Sequence, residues 1–140
     1  MSLKDLGPVD IKPLGLGLRK KLGPEALEQI AVIDWFDIQH PKIKKLLFHI
    51  PNEAKSSKIA AYIKKRMGMR SGACDLFLAM PNKDYPGLFI EMKSKSGRLT
   101  STQVEFMYMV KMQGYHAVKC NSADEAITTI KQYLETCFNV

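Results

Sequence analysis

The chain has 140 residues, 46% hydrophobic and 25% charged, which suits one globular domain with a core of its own and excludes a disordered or low-complexity chain. No apolar run approaches the ~18 residues of a membrane span, Met1 to Gly23 lacks the apolar stretch of a signal peptide, and Cys74, Cys120 and Cys137 have neither even number nor Cys-x-x-Cys spacing, which argues for a reducing, cytoplasmic setting. The formal charge of +7 is segregated: between His40 and Arg70 nine Lys or Arg face one acid, Glu53, while the other 12 basic and 13 acidic residues nearly cancel.

Met1 to Leu22 carries Gly7, Pro8, Pro13, Gly15 and Gly17 without sustained periodicity, so residues 1–23 are expected to form an irregular basic arm ahead of a single domain over 24–140. Lys12, Arg19, Lys20 and Lys21 in this arm could track phosphates or dock on a partner subunit. Pro24, at a first helical position where its missing N–H is harmless, opens a helix running to about Ile38. Ile30, Val32, Ile33, Trp35 and Phe36 supply its apolar face. Glu25, Glu28 and Gln29 lie in the first turns, where acids complement the helix dipole. Glu28, Val32 and Trp35 fall nearly on one line of this helix, and Glu25, Gln29 and Phe36 on another.

Leu46 to Ile50 predicts a short strand ended by Pro51 and Asn52, with His49 read as a core or surface histidine rather than a ligand. Ser56 or Ser57 can cap the next helix, which carries Ile59, Ala60, Ile63 and Met67 on one side and Lys58, Lys64, Lys65 and Arg66 on the other. With Lys55 before it and Arg70 after it, this is the basic segment, the footprint expected of a surface that meets a polyanion backbone. A helix that merely shows its charges to water would have the same composition.

Gly72 to Lys93 reads as a β-hairpin, because two runs rich in Leu, Phe, Ile and Met flank a connection of Pro, Asn, Lys, Asp, Tyr, Pro and Gly. A polar loop from Ser94 to Arg98 contains Lys95. Thr100 and Gln103 then match a capping box that opens a helix through Val104, Phe106, Met107, Val110 and Met112, stopped by Gly114. A strand from Tyr115 to Cys120 follows. Ser122 and Glu125 make a second capping box for a final helix with a buried stripe of Ala126, Ile127, Ile130, Tyr133 and Leu134. Helix, strand, helix, hairpin, helix, strand, helix is the order of an α/β domain with a central mixed sheet flanked by helices.

The chemistry concentrates in the hairpin. With side chains alternating along its second strand, Phe89, Glu91 and Lys93 share one face and Leu88, Ile90 and Met92 the other. A carboxylate and an ammonium on a strand apolar on both faces cost several kcal/mol of desolvation unless they are paired or bind a metal. One reading makes Glu91 and Lys93 a structural pair within a non-catalytic, basic DNA-binding module. The other makes Asp75, at the mouth of the first strand, and Glu91 joint oxygen ligands of Mg²⁺ or Mn²⁺, with Lys93 serving an attacking water and offsetting phosphate charge.

These residues resemble a family. Asp75, a hairpin's length and then Glu91-x-Lys93 look like the motif of the PD-(D/E)XK nuclease superfamily. Gly72, Ala73, Cys74, Asp75 and Leu76 are similar to the Gly-x-Pro-Asp-Leu segment of virus-type replication-repair (VRR-NUC) nuclease domains in their stand-alone, phage-like form, with Cys74 where the family usually has Pro. Ile50 to Glu53, Ser101 to Gln103, Gly114 and Tyr115 extend the likeness, which spans Glu25 to Leu134. The resemblance implies a restriction-endonuclease-like core and a metal-dependent DNA nuclease that is structure-selective, Holliday-junction-resolvase-like and homodimeric. It also implies a bacterial or phage-infected cytoplasm. A helix-borne glutamate, Glu28 before Glu25, would support the metal, and the Met92 carbonyl would offer a third oxygen. Gln103 would sit beside the site, holding a water or a phosphate. DNA would meet Asn52, Lys55, Lys58, Lys64, Lys65, Arg66, Arg70 and Lys95.

Overall fold

A computed structural model describes residues 15–52 and 56–138. Its centre is strand β3, Leu88–Met92, with β2, Leu76–Leu78, antiparallel on one side and β4, His116–Cys120, parallel on the other. Strand β1, Leu47–His49, pairs antiparallel with β2 and completes a mixed sheet ordered β1-β2-β3-β4. An antiparallel pair can be joined by a hairpin, whereas the parallel β3–β4 pair needs a crossover. Helix α4, Ser101–Met112, supplies it on one face of the sheet, while α2, Pro24–Gln39, and α5, Ala123–Leu134, pack on the other.

Alternation along β3 sorts its side chains as the sequence predicts. Leu88, Ile90 and Met92 enter the main core with Val32, Phe36, Ala126 and Ile130, and Phe89 turns the other way, against Phe106 and Tyr115. Ile90 is fully enclosed, so Ile90→Ala would cost about 2–5 kcal/mol by transfer and cavity formation. Lys93 N–H donates to Cys120 O at 2.9 Å, so the ladder continues one residue past β3 and keeps Lys93 in step with Glu91. The hairpin connection is shaped by Asn82, whose Oδ1 accepts from the N–H groups of Asp84 and Tyr85.

Both predicted caps open helices, and the one at α4 closes as a reciprocal box. Thr100 Oγ1 accepts from Gln103 N–H while Gln103 Oε1 accepts from Thr100 N–H. At α5, Ser122 Oγ accepts from Glu125 N–H, and Glu125 reaches back one residue further, to Asn121 N–H. Gly114, at φ +91°, ends α4 in a conformation that suits glycine.

Two expectations need correction. The stretch read as an irregular arm contains a six-residue helix, α1, Leu16–Lys21; residues 1–14 of the arm, with Lys12, lie outside the described residues. Helix α3, Lys58–Arg66, capped by Ser57 and not Ser56, is amphipathic as predicted but buries neither face. An apolar stripe normally faces the core. Here Ile59, Tyr62, Ile63 and Met67 are 50–82% exposed, and the less exposed positions are Ala60, Ala61 and Lys64.

Candidate active site

Asp75 immediately precedes β2, and its whole residue is held. Its carbonyl accepts from Ile50 N–H at 2.8 Å and lies 2.9 Å from His49 Nδ1, while carboxylate Oδ2 accepts from Met92 N–H at 2.7 Å. That last bond carries the Asp75 carboxylate across to β3, where Glu91 is only 2% exposed. Glu91 Oε1 accepts from Gln103 Nε2 at 2.9 Å and has Lys93 Nζ 3.8 Å away; Oε2 is buried without a partner. Both acids border a cleft of about 400 Å³, with Lys93, Gln103, Glu25 and His49 around them and Asn52, Gly72, Thr100 and Thr102 at its remaining walls.

This geometry weighs against a purely structural pair. An ion pair at 3.8 Å and one amide bond engage the same oxygen, Oε1, and leave the other desolvated and unmatched. Burial, and then the neighbouring Asp75 charge, push the Glu91 carboxyl up to about 8, with Lys93 opposing. Asp75 is also raised, by burial first, with the Met92 N–H opposing. Near neutral pH a proton therefore sits on the pair unless a cation takes its place. Among the described residues no three His, Cys, Asp or Glu side chains gather to hold a metal alone. Two carboxylates lining a polar cleft are nevertheless the donor set that a hard cation such as Mg²⁺ uses with carbonyl, water or phosphate oxygens, so the residues present fit that group.

Of the two helix-borne glutamates, the structure brings Glu25 to the cleft, where Oε1 accepts from Ser94 N–H at 3.3 Å. Glu28, the one preferred from the sequence, is not among the residues lining this cleft; its Oε2 accepts from Ala123 N–H, satisfying a free donor at the start of α5. Both lie in the first turns of α2, and the burial of Val32 and Phe36 against the sheet sets which line of the helix reaches the cleft. Both ends of the Gln103 amide are engaged: Oε1 serves the cap and Nε2 serves Glu91. Asn52 Nδ2 donates to Ala73 O at 2.7 Å, steadying the loop ahead of Asp75, and its Oδ1 is buried and unpartnered.

Lys58, Lys65, Arg66, Arg70 and Lys95 are exposed and Lys64 is half-buried; Lys55 lies outside the described residues. His49 was not expected in the site. Nothing in its apolar run marks it, because its place follows from the pairing of β1 with β2, which sets it opposite Leu76 and beside Asp75. Cys74 is fully buried and its thiol is pushed up to about 12, chiefly by burial, so it packs beneath Asp75 as an inert group.

A mixed sheet delivers Asp75, Glu91 and Lys93 from adjoining strands into one cleft of an α/β domain. Residues 23–124 match the family model of the VRR-NUC domain, and the chain belongs to that family. A solved structure of a VRR_NUC domain protein is similar in fold, with a TM-score of 0.71 and 29% identity over 82% of this chain and 91% of that one. No curated protein matches the sequence. Among the described residues no helix is long and apolar enough to cross a membrane.

Proposed function

We propose that the chain is a metal-dependent deoxyribonuclease that hydrolyses phosphodiester bonds at the cleft between Asp75 and Glu91. The observation that carries this reading is the buried, unpartnered Oε2 of Glu91 beside the Asp75 carboxylate. Asp75, Glu91 and the Met92 carbonyl would hold Mg²⁺ or Mn²⁺, with Glu25 at the rim in support. The ion would supply Lewis acidity, offsetting charge on the phosphate and making water a better nucleophile at neutral pH.

The remaining work belongs to the chain. Lys93 Nζ, beside Glu91 on the same strand face and with its side chain 11% exposed, orients the attacking water and receives its proton or neutralises the phosphate. Met92 N–H and Gln103 Nε2 hold one oxygen of each carboxylate, and the Glu91 oxygen they leave, Oε2, is buried without a donor. Exposed Lys58, Lys65, Arg66 and Arg70, which precede Asp75, and Lys95, which follows Lys93, contact backbone phosphates on either side of the cleaved bond.

Structure-selective cleavage of branched DNA, four-way junctions included, belongs to the same proposal and is supported by the family resemblance. So is a homodimer, in which two sites related by a two-fold axis cut two strands. The exposed apolar side chains of α3, Ile59, Tyr62 and Ile63, with Met67 just beyond it, support self-association. Light scattering of the Ile63→Glu variant should show a monomer where the parent is a dimer. A panel of linear, flap, splayed and four-way DNA with Mg²⁺ or Mn²⁺ tests the activity. Cleavage of branched forms is expected, and binding without product on every substrate would favour the non-catalytic module.

A further inference from the structure

We propose that the first turn of α4 is the clamp that sets the separation of the Asp75 and Glu91 carboxylates, with Thr100 and Gly72 as positioning residues acting through Gln103 and the Asp75 loop. The proposal rests on the reading of that acid pair as a cation site.

Gln103 occupies the N3 position of a capping box, where Glu and Gln serve equally as acceptors for the cap N–H. At α5 the same position is Glu125, which accepts from the N–H of Asn121, one residue before the cap. At α4 the same position must do more. Gln103 Oε1 accepts from Thr100 N–H at 2.9 Å, and Nε2 donates to Glu91 Oε1 at 2.9 Å. An ionised glutamate could fill the cap but has no proton to give Glu91. The amide is thus tied at both ends, and the Thr100 cap becomes part of what holds Glu91.

The second carboxylate is registered on the adjacent residue of the same turn. Gly72 has φ +84°, and a Cβ placed there would lie 2.3 Å from Thr102 O and 2.5 Å from Thr102 C, both backbone atoms. No side chain fits, so the loop that carries Asp75 rests directly on the Thr102 peptide. From the other side Asn52 Nδ2 draws the loop in through Ala73 O at 2.7 Å. Asp75 follows Gly72 by three residues, and Glu91 is one hydrogen bond from Gln103. Movement of this turn would change the distance between the two acids.

Calorimetric titration with Mn²⁺, alongside thermal melting, separates a clamp from an ordinary cap. Thr100→Ala keeps the Thr100 N–H bond to Gln103 Oε1 but removes the hydroxyl that accepts from Gln103 N–H and fixes this turn. Acting one bond further out than Gln103, it should weaken Mn²⁺ binding by about 10-fold, the low end of the loss when a group orienting a metal ligand is removed. Thr100→Ser, which keeps the hydroxyl acceptor, should restore it. Ser122→Ala, which removes the corresponding cap of α5, should lower the melting temperature comparably and leave Mn²⁺ affinity unchanged. If Thr100→Ala melts lower but binds Mn²⁺ as the parent does, the clamp is overturned and the cation site stands. A parent protein that binds no Mn²⁺ would overturn both. Gly72→Ala adds a variant of the opposite side, expected to lose affinity if it folds; Thr100 decides the matter if it does not.

Discussion

Helices α3 and α4 flank the hairpin in sequence, each begins with a hydroxyl cap, and each leaves large apolar side chains exposed, yet they are held in opposite ways. The first turn of α4 is tied to Glu91 through Gln103 and pressed against Gly72, while α3 buries none of its residues. Hydrolysis needs donor atoms placed to within a few tenths of an ångström. Electrostatic contact with a polyanion and association through an apolar face tolerate much looser placement. The acid cleft therefore sits where the fold is best tied, and the basic segment sits on an element with surface to spare.

The largest effects should fall on the tied side. Asp75→Asn and Glu91→Gln are each expected to reduce cleavage below detection while leaving DNA affinity largely intact, measured by single-turnover cleavage and by binding under the same conditions. Near-parental cleavage by a folded Glu91→Gln protein would remove the carboxylate pair from the chemistry. Next comes Lys93→Ala, expected to slow cleavage at saturating protein by ~10²–10⁴, the range for a positioned proton-transfer group, with little change in dissociation constant. Lys93→Arg should restore little if the proton is transferred, because guanidinium stays protonated, and more if only charge matters.

The loosely held side should respond differently. Neutralising Lys58, Lys65 and Arg66 together should weaken binding to all DNA sequences and flatten the log–log salt dependence by about 0.9 for each duplex phosphate that the protein no longer neutralises. Cleavage at saturation should hardly change. An unaltered slope would show α3 facing only water, and a loss of the cleavage step itself would erase the contrast between the two helices.

Stability sharpens the comparison further. Glu91 titrates at about 8 in the folded protein against 4.5 as the ordinary value, so without metal the folded state holds a proton that the unfolded state releases between those pH values. The metal-free protein should thus lose stability as pH rises from 4.5 toward 8, an effect absent below 4.5. Glu91→Gln should remove much of that loss and melt higher than the parent at about pH 8, the usual relation between an active-site charge and stability. The smallest effect separates two glutamates. Glu28→Gln should lower the melting temperature through the start of α5 and leave cleavage unchanged, whereas Glu25→Gln should weaken cleavage with little cost in stability.

Much of the fold and the centre of the site were legible because they depend on local chemistry. Period-two alternation placed Glu91 and Lys93 on one strand face, and Thr100-x-x-Gln103 marked a helix start, with only the family resemblance setting Gln103 beside the acids. What was not legible depends on rotation and pairing set by distant parts of the chain. Glu25 and Glu28 differ only by the turn of α2 that burial of Val32 and Phe36 imposes. His49 reaches Asp75 only because β1 lies against β2. Helix α3 leaves its apolar stripe exposed, and no rule of periodicity distinguishes a stripe packed on the sheet from one left bare.

The central claim is that the raised carboxyl of Glu91 marks a cation site shared with Asp75. Calorimetric titration of Mn²⁺ into the DNA-free protein at about pH 7, repeated in two buffers of different ionisation enthalpy, tests it most directly by counting protons released on binding. The account predicts one-site binding with release of about one proton, since the ion displaces it from the acid pair. Release should shrink above about pH 8, and binding should be lost in Glu91→Gln. Absence of binding heat, or binding that Glu91→Gln leaves intact, would contradict it.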